Sequence, residues 1–251
     1  MELDRLELEA QPQKRIIIPL DRPDMAAALA LAETVGPSVG AFKVGLELFT
    51  SEGPDAIRQI VRLGHRVFYD SKFHDIPNTV AGACRAAVRT GAWMLNIHAP
   101  GGRVMLEAAV EAVREESDRC QVTPPILIGV TVLTSLDEAL LREAYGVSLD
   151  LAELVLCLAE LCQDCGLDGV VASPQEARAI RTACGPDFVI VTPGIRRAGG
   201  AIHDQKRSAT PAAAVAAGAD YLVIGRDITA AADPARAARE VAIELKEAAG
   251  N

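Results

Sequence analysis

The sequence predicts an α/β fold, and within that class a (β/α)8 TIM barrel. Three observations lead there. The chain has 251 residues, half of them hydrophobic, which suits one sizeable core. Eight short apolar runs alternate with longer segments rich in Ala, Leu, Glu and Arg, the pattern of βαβ units and a parallel sheet. Most of those runs end in charged or polar residues, as expected where a barrel gathers its chemistry at the C-terminal ends of its strands.

The predicted strands, in order, are 15–20, 40–44, 66–70, 93–98, 126–132, 169–172, 188–192 and 221–224. The first carries Ile16, Ile17 and Ile18 and runs out at Asp21. The second holds Lys43 inside the otherwise apolar Ala41-Phe42-Lys43-Val44, where a lysine needs a carboxylate partner; Asp21 and Asp70 are the candidates. Val67, Phe68 and Tyr69 lead the third into Asp70, and the fourth ends at His98. The fifth runs into Leu133-Thr134-Ser135, a segment that fits either a helix cap or a ligand contact. The sixth ends apolar, the seventh enters Thr192-Pro193-Gly194-Ile195-Arg196, and the eighth enters Gly225-Arg226-Asp227. A doubly wound open sheet is the competing architecture, but Asp21 follows the first strand where that fold carries a Gly-rich loop. We read residues 1–251 as a single barrel domain, with 1–14 a polar N-terminal extension.

The net charge of −9 and pI near 5.0 argue against nucleic acid or an anionic membrane as partner. Residues 1–13 are charged and lack the apolar core of a secretory signal, and no stretch is long enough to span a bilayer, so a cytoplasmic protein is expected. The six cysteines are scattered in helical surroundings and read as free thiols; Cys162 and Cys165 have metal-pair spacing without a second pair. The four histidines form no HxxH or HExxH group, so no metal site is predicted, and no G-x-S-x-G elbow suggests a serine hydrolase.

The run Asp70-Ser71-Lys72-Phe73-His74-Asp75-Ile76-Pro77-Asn78-Thr79 is the most informative in the chain. If 67–72 is a strand, alternation puts Asp70 and Lys72 on one face and Ser71 on the other. Asp75 then lies in the following loop, close enough to join them. The plainer reading is a strand-end ion pair before a helix, with Asp75 near the helix N-terminus and Pro77 in its first turn. Near the C-terminus, Gly194, Arg196, Gly225 and Arg226 suggest a phosphate cradle after strands seven and eight: glycines let backbone N–H groups approach, and an arginine supplies a bidentate fork. Between them 197–211, with Gln205 inside it, is longer than a barrel connection needs and reads as a lid.

Taken together these motifs resemble the orotidine 5′-phosphate decarboxylase family. Asp70-Ser71-Lys72-Phe73-His74-Asp75-Ile76-Pro77-Asn78-Thr79 is similar to its D-x-K-x-x-D-I-P-N-T signature. Pro19-Leu20-Asp21, Phe42-Lys43-Val44-Gly45, Val130-Thr131-Val132-Leu133-Thr134-Ser135, Thr192-Pro193-Gly194-Ile195-Arg196 and Val223-Ile224-Gly225-Arg226 follow in the family's order. D-x-K-x-x-D alone also occurs in magnesium-dependent sugar-phosphate lyases and decarboxylases of the same superfamily, which makes that chemistry the alternative.

The resemblance implies a barrel that converts orotidine 5′-phosphate to uridine 5′-phosphate in pyrimidine synthesis, with no metal or organic cofactor. It implies Lys72 as proton donor to the ring carbon that loses carbon dioxide, Asp70 facing the substrate carboxylate, and Lys43 and Asp75 completing the charge array. Asp21 and Lys43 would hold ribose hydroxyls, and Thr134 the pyrimidine edge. Arg196, Gln205, Gly225 and Arg226 would hold phosphate. It further implies a homodimer in which Asp75, Ile76 and Thr79 reach the other subunit's site.

Overall fold

A computed structural model describes residues 5–146, 150–197 and 208–249. All eight predicted strands form: β1 (Ile16–Pro19), β2 (Ala41–Val44), β3 (Val67–Phe73), β4 (Met94–His98), β5 (Ile126–Val130), β6 (Gly169–Val171), β7 (Val189–Thr192) and β8 (Tyr221–Val223). They pair in parallel in chain order, and β8 returns to β1, with Ile17 opposite both Ala41 and Val223, so the sheet closes into a barrel with no free edge. Helices intervene between the strands, among them Met25–Val35, Pro77–Val88, Arg103–Cys120 and Leu151–Asp164, and helix Pro234–Ala249 follows the last. No helix among the described residues is long and apolar enough to cross a membrane.

Period-two alternation sorts the strand residues into two cores. Ile16, Ile18, Phe42, Val44, Leu95, Ile97 and Ile190 are buried against the helices. Ile17, Ala41, Phe68, Met94, Ile126, Ile128, Val191 and Tyr221 fill the barrel interior. Each Val, Leu, Ile, Phe or Met side chain among them, fully removed from water, contributes about 1.5–3 kcal/mol. Leu8, from helix Arg5–Ala10 in the polar N-terminal stretch, is buried with the interior set and so closes the barrel at the end opposite the strands' C-termini. On the outside, buried Glu116 of helix Arg103–Cys120 pairs with Arg119 and with Arg89, just past helix Pro77–Val88; those two guanidiniums hold its carboxyl down at about 2. All six cysteines are free thiols.

β3 is the irregular strand. Tyr69 lies opposite Leu95, yet Phe73 lies opposite Ile97, so four steps along β3 match two along β4. The surplus is taken up in Asp70-Ser71-Lys72, and Lys72 has a left-handed backbone, φ 50°. A lysine there costs about 1–2 kcal/mol relative to ordinary backbone. Phe73 then rejoins the ladder and packs edge-on against Tyr69, 5.7 Å between ring centres.

Candidate active site

The C-terminal ends of the strands surround a cavity of about 630 Å³. Asp21, Lys43, Asp70, Lys72, Thr134, Arg196, Gly225 and Arg226 all line it. The first four form its polar floor. Asp70 is 8% exposed, and its two oxygens face different ammonium groups: Lys72 Nζ donates to Oδ1 at 2.6 Å, and Lys43 Nζ lies 3.2 Å from Oδ2. Lys43 Nζ also donates to Asp21 Oδ1 at 3.1 Å. The predicted need of Lys43 for a carboxylate is therefore met twice over. Gly45 makes room for this: a Cβ there would come within 2.6 Å of Lys43 Nζ.

Burial is the largest single influence on Asp70 and pushes its carboxyl up, but Lys43, Lys72 and the hydrogen bonds from Lys72 and Asn96 together hold it below the ordinary range. Burial likewise pulls Lys43 down, and Asp70 and Asp21 outweigh it, raising the ammonium's pKa. Both groups are charged throughout the neutral range. Losing Asp70 would leave the Lys43 ammonium buried with only the half-exposed Asp21, a change on the order of 3–5 kcal/mol for a broken buried pair.

Asp70 and Lys72 meet as alternation predicted, with Ser71 turned away to donate to the Asn96 carbonyl at 2.7 Å. The cause differs from the expected regular strand, since the left-handed turn at Lys72 sets its direction. Asn96, which the sequence reading passed over, completes the group. Its Nδ2 donates to Asp70 Oδ1 at 2.7 Å and its Oδ1 accepts from the Lys72 N–H at 2.7 Å. The available signal was an amide on the inward-facing register of β4, between Met94 and His98. His98 itself stands 5.4 Å, ring centre to ring centre, from His74.

Asp75 does not join Asp70 and Lys72 within its own chain, contrary to the expectation from spacing. The turn at Lys72 and the return of Phe73 to the ladder carry the chain away from the cavity, and the Asp75 carboxylate instead accepts the Ile76 N–H at 2.6 Å. Helix Pro77–Val88 starts there with Pro77 in its first turn, as expected. Asp75, Ile76 and Thr79 are exposed and do not line this chain's cavity; Ile76 is 68% exposed.

At the other side of the mouth, Arg196 and Arg226 approach from β7 and β8, with Pro193, Gly194 and Gly225 between them. Gly194 has φ 82°, a conformation that favours glycine. Ile195 bridges to Ala209, and the Arg196 N–H donates to the Ala209 carbonyl at 3.0 Å, so both stems of the intervening segment are joined. The Arg197 N–H donates to Asp227 Oδ2 at 2.6 Å, tying the same stem to helix Arg226–Thr229. Gln205 lies outside the described residues.

Among the described residues, no three His, Cys, Asp or Glu side chains converge as a metal-ligand set. Asp70, the buried carboxylate of the floor, already has both oxygens engaged by cations.

The family model for orotidine 5′-phosphate decarboxylase / HUMPS matches residues 14–241. A relative named orotidine 5′-phosphate decarboxylase from Moorella thermoacetica is 57% identical over 232 residues, covering 92% of either chain. One of the same name from Syntrophomonas wolfei is 51% identical over 238 residues, 94% of this chain and all of that one. The crystal structure of orotidine 5′-phosphate decarboxylase from Lactobacillus acidophilus superposes with a TM-score of 0.82 at 35% identity, covering 92% of this chain and 98% of its own. With a closed eightfold barrel, a Lys–Asp–Lys floor at its mouth and relatives of this identity along nearly its full length, the chain belongs to the orotidine 5′-phosphate decarboxylase / HUMPS family.

Proposed function

We propose that the protein decarboxylates orotidine 5′-phosphate to uridine 5′-phosphate in pyrimidine synthesis, without a metal, and that Lys72 carries the chemistry. The observation that carries this reading is the alternating Lys43–Asp70–Lys72 array on the floor of the cavity. The cavity's size falls within the roughly 300–1,000 Å³ of small-molecule sites.

In the proposed reaction the bond between the ring carbon and its carboxylate breaks, carbon dioxide leaves, and the electron pair stays on the ring carbon. A fixed ammonium beside that carbon stabilises the developing charge without having to reorganise. Lys72 then gives the carbanion a proton and recovers one from solvent. Asp70 lies against the same ammonium, so a substrate carboxylate placed there would meet a negative charge that its departure relieves. Lys43 and Asp21 are set to hold ribose hydroxyls, and Thr134 the pyrimidine edge. Arg196, Arg226 and Gly225, with Gln205, are assigned to the phosphate.

The same reading gives Asp75, Ile76 and Thr79 to a second copy's site, in a homodimer. Their exposure at the barrel mouth, outside their own cavity, supports it. A cytoplasmic location and the single-domain boundary remain part of the proposal.

The test is release of carbon dioxide with loss of the orotate-type ultraviolet absorbance, run with and without chelator. Activity is expected to survive exhaustive chelation and to be unchanged by added magnesium. Loss on chelation with recovery on magnesium would promote the sugar-phosphate alternative of the same superfamily. Relatives at 50–57% identity carry the decarboxylase name, which favours the nucleotide substrate.

Replacing Arg226 tests the phosphate assignment. Arg226→Ala should lower kcat/KM for orotidine 5′-phosphate on the order of 100-fold, the usual scale for removing one member of a charge-assisted pair. Orotidine, which lacks the phosphate, should be slowed far less. Equal losses on nucleotide and nucleoside would remove Arg226 from the phosphate site.

A further inference from the structure

Asn96 is 1% exposed on β4 and lies beneath the cavity without lining it. Met94, two residues earlier on the same face, and Ile128, opposite it on β5, are buried apolar residues, so an amide there carries a desolvation cost unless both its ends are satisfied. Both are. Nδ2 donates to Asp70 Oδ1, and Oδ1 accepts the Lys72 N–H, each at 2.7 Å. The main-chain oxygen of Asn96 also accepts from Ser71 Oγ at 2.7 Å. One residue of β4 thus holds all three residues of β3 that stand against it in the irregularity, two more than a regular ladder would place there. The β3–β4 register breaks between Tyr69 and Phe73, and the Asn96 side chain supplies the acceptor for the Lys72 N–H inside that break.

The contacts also fix the chemistry required. The end that meets a carboxylate must be a donor and the end that meets an N–H must be an acceptor, and the Asn amide offers both, uncharged and without titrating. Asp70 Oδ1 then receives two donors, Lys72 Nζ and Asn96 Nδ2, which sets the carboxylate's rotation while Oδ2 remains turned to Lys43.

We propose that Asn96 is a positioning residue for the decarboxylation. It orients the Asp70 carboxylate and holds the Lys72 backbone left-handed, so that the Lys72 ammonium arrives at the reacting carbon. The proposal rests on the decarboxylase reading above.

Asn96→Ala removes both contacts and touches no ligand. Its kcat should fall on the order of 100-fold, the scale of an ångström-size misplacement of a reacting group. KM, and inhibition by uridine 5′-phosphate, should stay within about 3-fold of wild type, since these report the ribose and phosphate contacts. A fraction of unfolded protein would also lower the apparent kcat without moving KM, so kcat is expressed per site titrated by uridine 5′-phosphate.

Asn96→Asp keeps the shape and the acceptor but sets a second carboxylate against Asp70. The other charged or titratable groups facing this point are Lys72 on β3, Lys43 on β2, and His98, which stands beside His74. Two carboxylates in contact share one proton below a raised apparent pKa, and the shared proton restores the single negative charge of the wild type. The kcat of Asn96→Asp, relative to wild type at each pH, should therefore rise as pH falls from about 9 to about 6.

The proposal is overturned by an Asn96→Ala kcat equal to wild type, by a loss confined to KM, or by an Asn96→Asp profile parallel to wild type. It is equally overturned if both variants are unfolded by circular dichroism, which would make Asn96 a residue of the fold. A wild-type protein that releases no carbon dioxide overturns the decarboxylase reading itself, and the inference with it.

Discussion

Lys72→Ala should give a folded barrel with no measurable turnover. General acid catalysis by a positioned group is worth about 10²–10⁴ in rate, and a preorganised charge opposite a developing anion about another 10²–10³. Both are lost together, so a fall of at least about 10⁴-fold is expected. The fold should survive because the Lys72 side chain is 30% exposed and its ion pair is with Asp70, which keeps Lys43 and Asn96 as partners. Circular dichroism and a thermal melt establish folding, and loss of orotate absorbance measures turnover. Decarboxylation above about 1% of wild type in the folded variant would take the proton transfer away from Lys72.

The second large effect is a gain. Lys72→Ala and Asp75→Asn homodimers should each be nearly inactive, whereas their mixture should recover activity once chains exchange. In the proposed dimer one site draws Lys72 from one chain and Asp75 from the other, and the two-fold axis repeats the arrangement. A hybrid then collects both lesions in one site and leaves the other wild-type. Random exchange of equal amounts makes about half the dimers hybrid, and so leaves about a quarter of the sites intact. Co-purification of differently tagged chains shows whether hybrids form. Hybrids without activity would mean that Asp75 does not act across the interface.

The barrel was legible because each strand is a short run of β-branched or large apolar residues, and the chemistry was legible because charges in such runs have few other reasons to exist. Lys43 shows this best: four strand residues, one of them a lysine, demanded a carboxylate, and Asp21 and Asp70 are both there. Strand ends were less legible. The fifth was expected to reach Val132 and its ladder ends at Val130; Val132 stays buried beyond it, so its apolar character did not mark the strand's end. The third was expected to stop at Asp70 and runs to Phe73, since no local composition signals a left-handed lysine. Asn96 was hidden for a related reason: its role exists only through the register break on the neighbouring strand, which is a non-local property. Asp75 looked close in sequence to Lys72, and the same break sends it elsewhere.

The backbone at Lys72 also bears on how such a protein drifts. Glycine adopts φ 50° freely, so at this position the change that most relaxes the chain is also the one that deletes its ammonium. Screens that reward heat resistance alone would favour that loss, and libraries built for a hardier variant need turnover as a second criterion here.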